Sequence, residues 1–379
     1  MTLQSVVIKP VGSFCNLRCD YCFYLEKSLL YDSHPSKHLM TEKILEELIK
    51  NMFACTSYPT FIWHGGEPTL IGLNFFIKAV VYQKYYSNGK SFANAIQTNG
   101  MLLDDNWANF LRDENFLVGI SIDGPKHVHD IYRKDNHGKG TFETVFEKAK
   151  MLLSKGVQVN ILATVNNYSV KYITEIYNFF VKNGFNFMQF NPVVERDKTN
   201  PDFVASYSVK AKDYGRFLCE LFDLWIADFD FKNLKQKTSI RFFDSLIRKF
   251  VGMTTDHCIF QKKCGNYLVC EHNGDIFSCD YLVSKDTYIG NLNEISLNDA
   301  FYSSSHIAFA NQKAELGNEC KNCKWIELCY GGCIKDRTSD PQDKGHNHFC
   351  ISNQYFFKKA ESRLKKLAML YHIYYKHLE

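Results

Sequence analysis

Residues 15–24 read Cys15-Asn16-Leu17-Arg18-Cys19-Asp20-Tyr21-Cys22-Phe23-Tyr24, which places three cysteines at C-x3-C-x2-C spacing directly after a short apolar run, Val6 to Val11. Three thiolates on one tight loop can bind three irons of a cubane iron–sulfur cluster, whereas a closed cluster takes four. The remaining iron is then open to an outside ligand, as the vacant position of a catalytic zinc site is. A partial zinc site and three unrelated buried thiols are the alternatives. The spacing and the aromatic residues around Cys22 favour the cluster.

The composition is that of a globular protein, since 45% of the 379 residues are hydrophobic and 15% are aromatic. The formal net charge of +4 is too small to indicate a nucleic-acid partner. No apolar run reaches the ~18 residues that a membrane helix needs. The N-terminus lacks a basic region followed by a long apolar region, so no signal peptide is predicted. We therefore expect a cytoplasmic protein without nucleic-acid or membrane partners.

Fourteen cysteines are the unusual feature of the composition. They occur in short, clustered spacings on a long chain without an export signal, which favours metal ligands over disulfides. Eleven of them fall into an N-terminal group of three and a C-terminal group of eight. The other three, Cys55, Cys219 and Cys270, are interpreted as small hydrophobic residues, although Cys270 sits within the span of the C-terminal group.

Between residues 6 and 195, short segments rich in β-branched or aromatic residues alternate with segments of helical periodicity. The predicted strands are Val6–Pro10, Thr60–His64, Phe92–Gln97, Leu117–Ile122, Gln158–Val165 and Phe187–Asn191. The predicted helices are Thr41–Ala54, Asn74–Tyr86, Asp104–Arg112, Phe142–Leu153 and Val170–Lys182. Such alternation predicts a parallel sheet with right-handed crossovers. Six units fall short of a closed eight-stranded barrel, so the expected fold class is α/β with a partial (β/α)6 barrel.

Polar motifs follow three of the predicted strands. They are His64-Gly65-Gly66-Glu67-Pro68, Gln97-Thr98-Asn99-Gly100 and Ser121-Ile122-Asp123-Gly124-Pro125. In barrels of this kind the chemistry lies at the carboxyl ends of the strands. A glycine pair lets a ligand approach the backbone closely, although an isolated Gly-Gly-Glu-Pro is more typical of a β-turn.

The C-terminal group of cysteines has the spacing Cys258-x5-Cys264-x14-Cys279 followed by Cys320-x2-Cys323-x5-Cys329-x3-Cys333-x16-Cys350. Eight thiolates suffice for two closed four-thiolate sites, which hold either zinc or iron–sulfur clusters. A β-hairpin with its turn at Asn273-Gly274 is predicted between two of these cysteines. A helix over Tyr214–Phe229 precedes the group, and a helical tail over Asn353–His377 follows it. The basic side of this tail is interpreted as a solvated face, with a docking surface for an acidic partner as the alternative.

The cysteine loop, followed one strand later by Gly-Gly-Glu-Pro, resembles the signature of the radical S-adenosylmethionine (SAM) enzymes, and the C-terminal group resembles their SPASM extension. This resemblance implies a radical-SAM barrel with linker helices over residues 1–235, then a SPASM domain and terminal helix over residues 236–379. It also implies S-adenosylmethionine and three 4Fe–4S clusters. The implied cluster ligands are Cys15, Cys19 and Cys22; then Cys258, Cys264, Cys279 and Cys333; then Cys320, Cys323, Cys329 and Cys350.

The same resemblance implies five contacts to S-adenosylmethionine. Gly66 lies in the loop that binds the methionine amino group, and Ser121 and Arg133 match positions that contact the ribose and the carboxylate. Tyr21 matches a contact on the adenine side, and Val194 matches an apolar contact to adenine.

Within this superfamily, the chain resembles the anaerobic sulfatase-maturating enzymes along nearly its whole length. The motifs are Cys-Asp-Tyr-Cys-Phe-Tyr (19–24), Gly-Gly-Glu-Pro-Thr-Leu (65–70), Gln-Thr-Asn-Gly (97–100), Ser-Ile-Asp-Gly-Pro (121–125) and Cys-Asp-Tyr (279–281). The family oxidises a cysteine or serine of a sulfatase to Cα-formylglycine by way of a 5′-deoxyadenosyl radical. The resemblance implies an unfolded or nascent sulfatase as substrate and an electron donor such as flavodoxin or ferredoxin.

By this resemblance Asp280 is the base that acts on the target side chain, whereas a turn or a support for the cluster loop is its structural alternative. One departure from the family is His64, where relatives carry Gln. The sequence leaves open whether the target is cysteine or serine. Two other functions stay open: another SPASM peptide-modifying enzyme, for example one that forms thioethers, and a non-catalytic iron–sulfur or zinc protein.

Overall fold

The computed structural model describes residues 2–31, 34, 37–230, 235–255 and 257–376. The strands in this part of the chain are β1 Ser5–Lys9, β2 Thr60–Trp63, β3 Ala93–Thr98, β4 Leu117–Ser121, β5 Gln158–Val165, β6 Phe187–Pro192, β7 Phe229–Asp230, β8 Lys235–Gln236, β9 Ser239–Ile240, β10 Leu268–Glu271, β11 Asp275–Phe277 and β12 Tyr288–Asn291. The helices are α1 Glu42–Cys55, α2 Leu73–Ser87, α3 Asp105–Asp113, α4 Lys126–His129, α5 Phe142–Ser154, α6 Ile173–Lys182, α7 Ala211–Ala227, α8 Arg241–Phe250, α9 Leu297–Phe301, α10 Ser304–Gln312, α11 Asn318–Lys321, α12 Ile326–Cys329, α13 Ile334–Thr338 and α14 Cys350–Lys376.

The six predicted strands are confirmed as β1 to β6, with ends that differ from the predicted ones by at most one residue. The five predicted helices between them are confirmed as α1, α2, α3, α5 and α6. Helix α1 illustrates why the pattern was readable. The Thr41 side chain accepts a hydrogen bond from the Ile44 backbone amide and so caps the first turn. One face of the helix is buried and consists of Leu45, Leu48, Ile49, Met52 and Phe53.

The chain divides into two compact units. The first comprises residues up to Ser121 together with Asp130–Val159 and Cys264–Gln312. Its strands lie in the order β12-β11-β10-β1-β2-β3-β4. Strands β1 to β4 are mutually parallel, and β10 joins the free edge of β1 in parallel. The predicted hairpin around Asn273-Gly274 is confirmed as the antiparallel pair β10–β11, but its addition to β1 was not foreseen.

The second unit comprises Ile122–His129, Asn160–Lys263 and residues from Lys313 onwards. Within it β6 pairs in parallel with both β5 and β9. Its helices pack through aromatic rings, with Phe222 of α7 lying 5.0 Å from Phe243 of α8 and 5.5 Å from Phe356 of α14 between ring centroids. Helix α7 is the helix predicted over Tyr214–Phe229.

The predicted C-terminal tail is confirmed as α14, which begins at Cys350, three residues before the predicted start, while His377 lies outside the described residues. The predicted domain boundary at residues 235 and 236 stays a prediction. No helix in the described part of the chain combines the length and the apolar character that crossing a bilayer requires.

Candidate active site

The cysteine loop lies directly after β1 and is fixed by backbone hydrogen bonds. The Arg18 amide donates to the Lys134 carbonyl over 2.8 Å, and the Asp20 amide donates to the Tyr132 carbonyl over 3.2 Å. The Leu17 amide donates to Cys15 Sγ over 3.3 Å. These contacts fix the backbone of the loop.

The Cys15 thiol of this loop resists deprotonation in the absence of a cation. Burial raises the pKa of the Cys15 thiol, and the charges of Glu67, Cys19 and Cys22 raise it further. Like charges this close oppose ionisation. Bound iron would remove that repulsion, because the thiolate is the form that binds metal. The donor set therefore fits a cluster held by three thiolates.

The Gly65-Gly66-Glu67 backbone packs directly on the cysteine loop. The Gly66 amide donates to the Gly12 carbonyl, and the Glu67 amide donates to the Phe14 carbonyl, each over 2.8 Å. A Cβ atom at Gly66 would lie 2.1 Å from the Phe14 carbonyl oxygen. Only glycine permits an approach this close.

The Glu67 carboxylate joins the loops that follow β2 and β3. It is fully buried and accepts hydrogen bonds from Thr69 Oγ1 (2.6 Å), Thr98 Oγ1 (2.7 Å) and the Asn99 amide (2.7 Å). Burial raises the pKa of Glu67, although these donors oppose the rise. The Asn99 side chain in turn donates to Asn16 Oδ1 over 2.8 Å, inside the cysteine loop. One carboxylate thus ties three loops together.

Four of the predicted S-adenosylmethionine contacts lie in the first unit. The ring of Tyr21 is buried, and the Arg133 guanidinium carbon lies 5.6 Å from its centroid. Ser121 Oγ accepts a 2.9 Å hydrogen bond from Gln97 Nε2. Gly66 lies against the cysteine loop, as described above. The fifth predicted contact, Val194, is fully buried and belongs to the second unit.

Four C-terminal thiols line a single cavity in the second unit. Burial raises the pKa of Cys320, Cys329 and Cys350, and neighbouring thiols add to the rise in each case. Apolar side chains close part of the cavity wall, as in a site that shields a cluster from water. The cavity is lined by Cys320, Cys323, Cys329 and Cys350 together with Trp325, Ile326, Asn347 and Phe357. The donors present fit a closed four-thiolate cluster.

The other predicted set of four cysteines is divided between the units. Cys264 and Cys279 belong to the first, whereas Cys258 and Cys333 belong to the second, so this set stays a prediction. In the first unit the Cys264 amide donates to the Ala310 carbonyl over 3.2 Å.

The three cysteines interpreted as small hydrophobic residues differ in burial. Cys270 on β10 is fully buried, Cys219 is buried, and Cys55 is half-buried. Burial raises the pKa of all three thiols, to about 11 for Cys55.

Asp280 lies three residues beyond β11, in the first unit, and is ion-paired with Lys9. Lys9 is the last residue of β1, and His64 directly follows β2. Strand β1 lies between β10 and β2, which brings the three side chains together. The Lys9 Nζ is 3.3 Å from His64 Nδ1.

The charges of this group favour an ionised Asp280. Burial alone would raise the pKa of the Asp280 carboxyl group, but the charge and the hydrogen bond of Lys9 outweigh it and hold that pKa below its usual range. Burial and the charge of Lys9 lower the pKa of His64 to about 4. At neutral pH the group therefore holds a carboxylate beside a neutral imidazole.

Sequence reasoning missed Lys9. A lysine that ends the apolar strand Ser5–Lys9 reads as the point where the chain returns to solvent, yet its side chain is fully buried. The available signal was the charged residue inside the apolar run that precedes the cysteine loop.

Two family models match this chain: the Radical SAM superfamily over residues 10–180 and the SPASM iron–sulfur cluster-binding domain over residues 258–324. The serine-type anaerobic sulfatase-maturating enzyme of Bacteroides thetaiotaomicron is 38% identical over 371 residues, which cover 93% of this chain and 88% of that enzyme. The cysteine-type enzyme of Clostridium perfringens is 36% identical over 375 residues, which cover 96% of this chain and 98% of that enzyme.

A solved structure, native anSMEcpe with bound AdoMet and Cp18Cys peptide, matches with a TM-score of 0.86 at 34% identity, covering 96% of this chain and 98% of that one. The predicted fold class, α/β with a partial (β/α)6 radical-SAM barrel followed by a C-terminal SPASM extension, is confirmed. This chain belongs to the anaerobic sulfatase-maturating enzymes of the radical SAM superfamily.

Proposed function

We propose that this enzyme oxidises a cysteine or serine of an unfolded or nascent sulfatase to Cα-formylglycine, with Asp280 as the base on the target side chain. The observation that supports the proposal is the contact between the Asp280 carboxyl group and the buried Lys9 ammonium group, in the same unit as the C-x3-C-x2-C loop.

The cofactors of this family are S-adenosylmethionine and 4Fe–4S clusters. When bound, they supply a 5′-deoxyadenosyl radical and a route for the electron that the substrate loses. Cys15, Cys19 and Cys22 would hold the cluster with the open iron. The two closed clusters would be held by Cys258, Cys264, Cys279 and Cys333 and by Cys320, Cys323, Cys329 and Cys350.

The first unit also supplies most of the proposed S-adenosylmethionine contacts. Gly66 presents a backbone without a side chain beside the cysteine loop, which suits the methionine amino group. The Arg133 guanidinium lies over the ring of Tyr21. Arg133 offers a cation for the carboxylate of S-adenosylmethionine, and Tyr21 offers an aromatic face on the adenine side. Ser121 would contact the ribose, and Val194 would give adenine an apolar neighbour.

Asp280 would accept the proton of the target S–H or O–H group. Its pKa lies below the usual range, so the carboxylate is present at neutral pH without a prior proton loss. Removing that proton makes the remaining carbon-centred radical a better electron donor, which is the work of a general base.

The partners follow from this chemistry. A flavodoxin or ferredoxin is the proposed electron donor. A cytoplasmic location and the lack of nucleic-acid and membrane partners stay predictions from the sequence. Either a cysteine or a serine target fits the proposal, because both carry a proton that a carboxylate can accept.

The test is anaerobic turnover of the reconstituted enzyme with S-adenosylmethionine, dithionite and two peptides that differ only in a cysteine or serine at the target position of a Cys-x-Pro-x-Arg type of motif. Mass spectrometry should detect formylglycine in at least one peptide and none when alanine replaces the target. A thioether product, or 5′-deoxyadenosine without modification of either peptide, would rule out the proposed reaction.

A further inference from the structure

Lys9 is a buried ammonium group held rigidly at the end of β1. Its side chain is fully buried, and Nζ lies 4.3 Å from the centroid of the Tyr24 ring. The Tyr24 hydroxyl donates to the Glu271 carboxylate, which fixes the ring. Glu271 is also the register partner of Lys9 across the β1–β10 pairing. The strand and the aromatic ring thus leave the ammonium little freedom.

The backbone beside Lys9 is shaped to fit over it. A Cβ atom at Gly65, where φ is +121°, would lie 2.8 Å from the Gly12 carbonyl oxygen and 3.4 Å from Lys9 Cδ. The glycine therefore lets the loop after β2 close over the lysine stem. This closure places His64 within reach of the ammonium group.

The contacts of His64 fix which of its ring nitrogens carries hydrogen. Nδ1 accepts from the Gly65 amide over 2.7 Å and faces Lys9 Nζ at 3.3 Å. Since two donors converge on Nδ1, the neutral ring carries its hydrogen on Nε2. Within the described residues, Nε2 makes no hydrogen bond to another side chain or to the backbone. His64 therefore offers one N–H donor.

We propose that Lys9 is a positioning residue for the oxidation: its ammonium orients the Asp280 carboxylate and fixes His64 as an Nε2–H donor, so that the target residue meets an acceptor and a donor at once. The inference rests on the proposed role of Asp280. In the step concerned, the proton of the target S–H or O–H passes to the Asp280 carboxylate, and the His64 N–H donates to an oxygen of the bound peptide.

A purely structural role for Lys9 makes a different prediction. Removing one partner of a buried ion pair leaves the other charge uncompensated, which destabilises the fold. Such a role would lower iron content and stability together in Lys9→Met, and removing both charges would restore iron and stability because no uncompensated charge is left. A positioning role changes the coupling while the clusters stay in place.

The experiment compares Lys9→Met, Lys9→Arg and the double variant Lys9→Met/Asp280→Asn with the parent enzyme and with Lys50→Met. Lys50 is an exposed lysine paired with Glu47 on α1, so its removal is the matched control. Each anaerobic preparation is assayed for iron, for the electron paramagnetic resonance spectrum of its clusters, and for the ratio of formylglycine to 5′-deoxyadenosine.

We expect Lys9→Met to keep its iron and spectrum while kcat for formylglycine falls by about 10²-fold, the lower end of the effect of losing a general base. 5′-Deoxyadenosine should continue to form, so the ratio of formylglycine to 5′-deoxyadenosine should fall as well. In Lys9→Arg, kcat for formylglycine should be at least about tenfold higher than in Lys9→Met, because the arginine guanidinium also pairs with a carboxylate. The double variant should be stable yet as uncoupled as Lys9→Met.

Full coupling in Lys9→Met would overturn the inference, and so would a loss of iron in Lys9→Met that the double variant restores. The proposed function fails separately, in the parent enzyme, if neither the cysteine nor the serine peptide yields formylglycine. It also fails if Asp280→Asn alone stays fully coupled.

Discussion

The backbone amide of Asn99 donates a 2.7 Å hydrogen bond to Glu67 Oε2, and this bond joins the turn after β3 to the Gly-Gly-Glu-Pro loop after β2. Glu67 Oε1 accepts hydrogen bonds from the hydroxyl groups of Thr69 and Thr98. Because every donor on this carboxylate is buried with it, no water is available to replace a lost partner.

Glu67→Gln should therefore destabilise the protein by about 2–3 kcal/mol, since an amide N–H₂ group would face donors in place of an oxygen. Thermal unfolding under anaerobic conditions measures the change. Glu42→Gln is the matched control, because Glu42 is likewise a carboxylate that accepts side-chain hydrogen bonds, from Lys78 and Tyr82, but it is exposed. An exposed pair is screened by solvent, so Glu42→Gln should destabilise the protein much less than Glu67→Gln does. Equal effects at the two positions would contradict the prediction.

Gly66→Ala should disrupt the contact between the cysteine loop and the loop after β2, because the added methyl group meets the Phe14 backbone. We expect S-adenosylmethionine binding, measured by isothermal titration calorimetry, to weaken at least about tenfold, which corresponds to ~1.4 kcal/mol. Gly317→Ala serves as the control, since the nearest atom to its Cβ lies 3.9 Å away. Unchanged binding in Gly66→Ala would show that the loop can yield.

Replacing Cys15, Cys19 and Cys22 together with alanine should remove about a third of the iron, because one of three cubane clusters is lost. Cleavage of S-adenosylmethionine should stop altogether. Iron analysis and chromatography of 5′-deoxyadenosine measure the two effects. Stoichiometric zinc in the native protein, with iron confined to the N-terminal loop, would be incompatible with the assigned clusters.

Asp280→Asn should still cleave S-adenosylmethionine but form ~10²–10⁴-fold less formylglycine, the usual range for a lost general base. Asparagine keeps the size of the side chain and can accept one hydrogen bond from Lys9. Product and 5′-deoxyadenosine are measured in the same reaction. A product yield within a few-fold of the parent enzyme would exclude the role of base, and a parallel loss of iron would favour a structural role.

His64 should make stability depend on pH below neutrality. Its folded pKa is about 4, below the ordinary value of 6.5, so the unfolded chain binds more protons between these values. The stability that His64 contributes is then fully present above pH 6.5 and falls by up to about 1.4 kcal/mol per pH unit as the pH drops towards 4. His64→Gln should reduce the drop in thermal midpoint between pH 7 and 5.5. If the drop in thermal midpoint were the same in His64→Gln as in the parent enzyme, groups other than His64 would be responsible for it.

The sequence predicted those parts of the fold whose signal is local. The six strands and their helices were readable because each carries its own periodicity, as in the capped and amphipathic helix Glu42–Cys55. The cysteine loop was readable because the spacing of its thiols is a chemical requirement of the cluster. Asp280 entered only through its position directly after Cys279, within a family motif.

What could not be predicted depends on contacts between distant segments. Lys9 and Asp280 are 271 positions apart, and nothing near either residue indicates the other. Their meeting requires that β10 lie beside β1, a pairing between parallel strands that no turn sequence specifies. The tautomer of His64 depends in turn on that meeting.

The pairing of β10 with β1 has a consequence for synthesis on the ribosome. Val6 and its neighbours in β1 stay unpaired along one edge until Leu268 and the following residues of β10 have been synthesised. At roughly 5–20 residues per second, one edge of an apolar strand stays open for on the order of tens of seconds. An open edge of this kind is a template for aggregation. The segment that carries Cys264 and Cys279 therefore completes the nascent N-terminal sheet, so a chain interrupted before β10 would emerge with that edge unprotected.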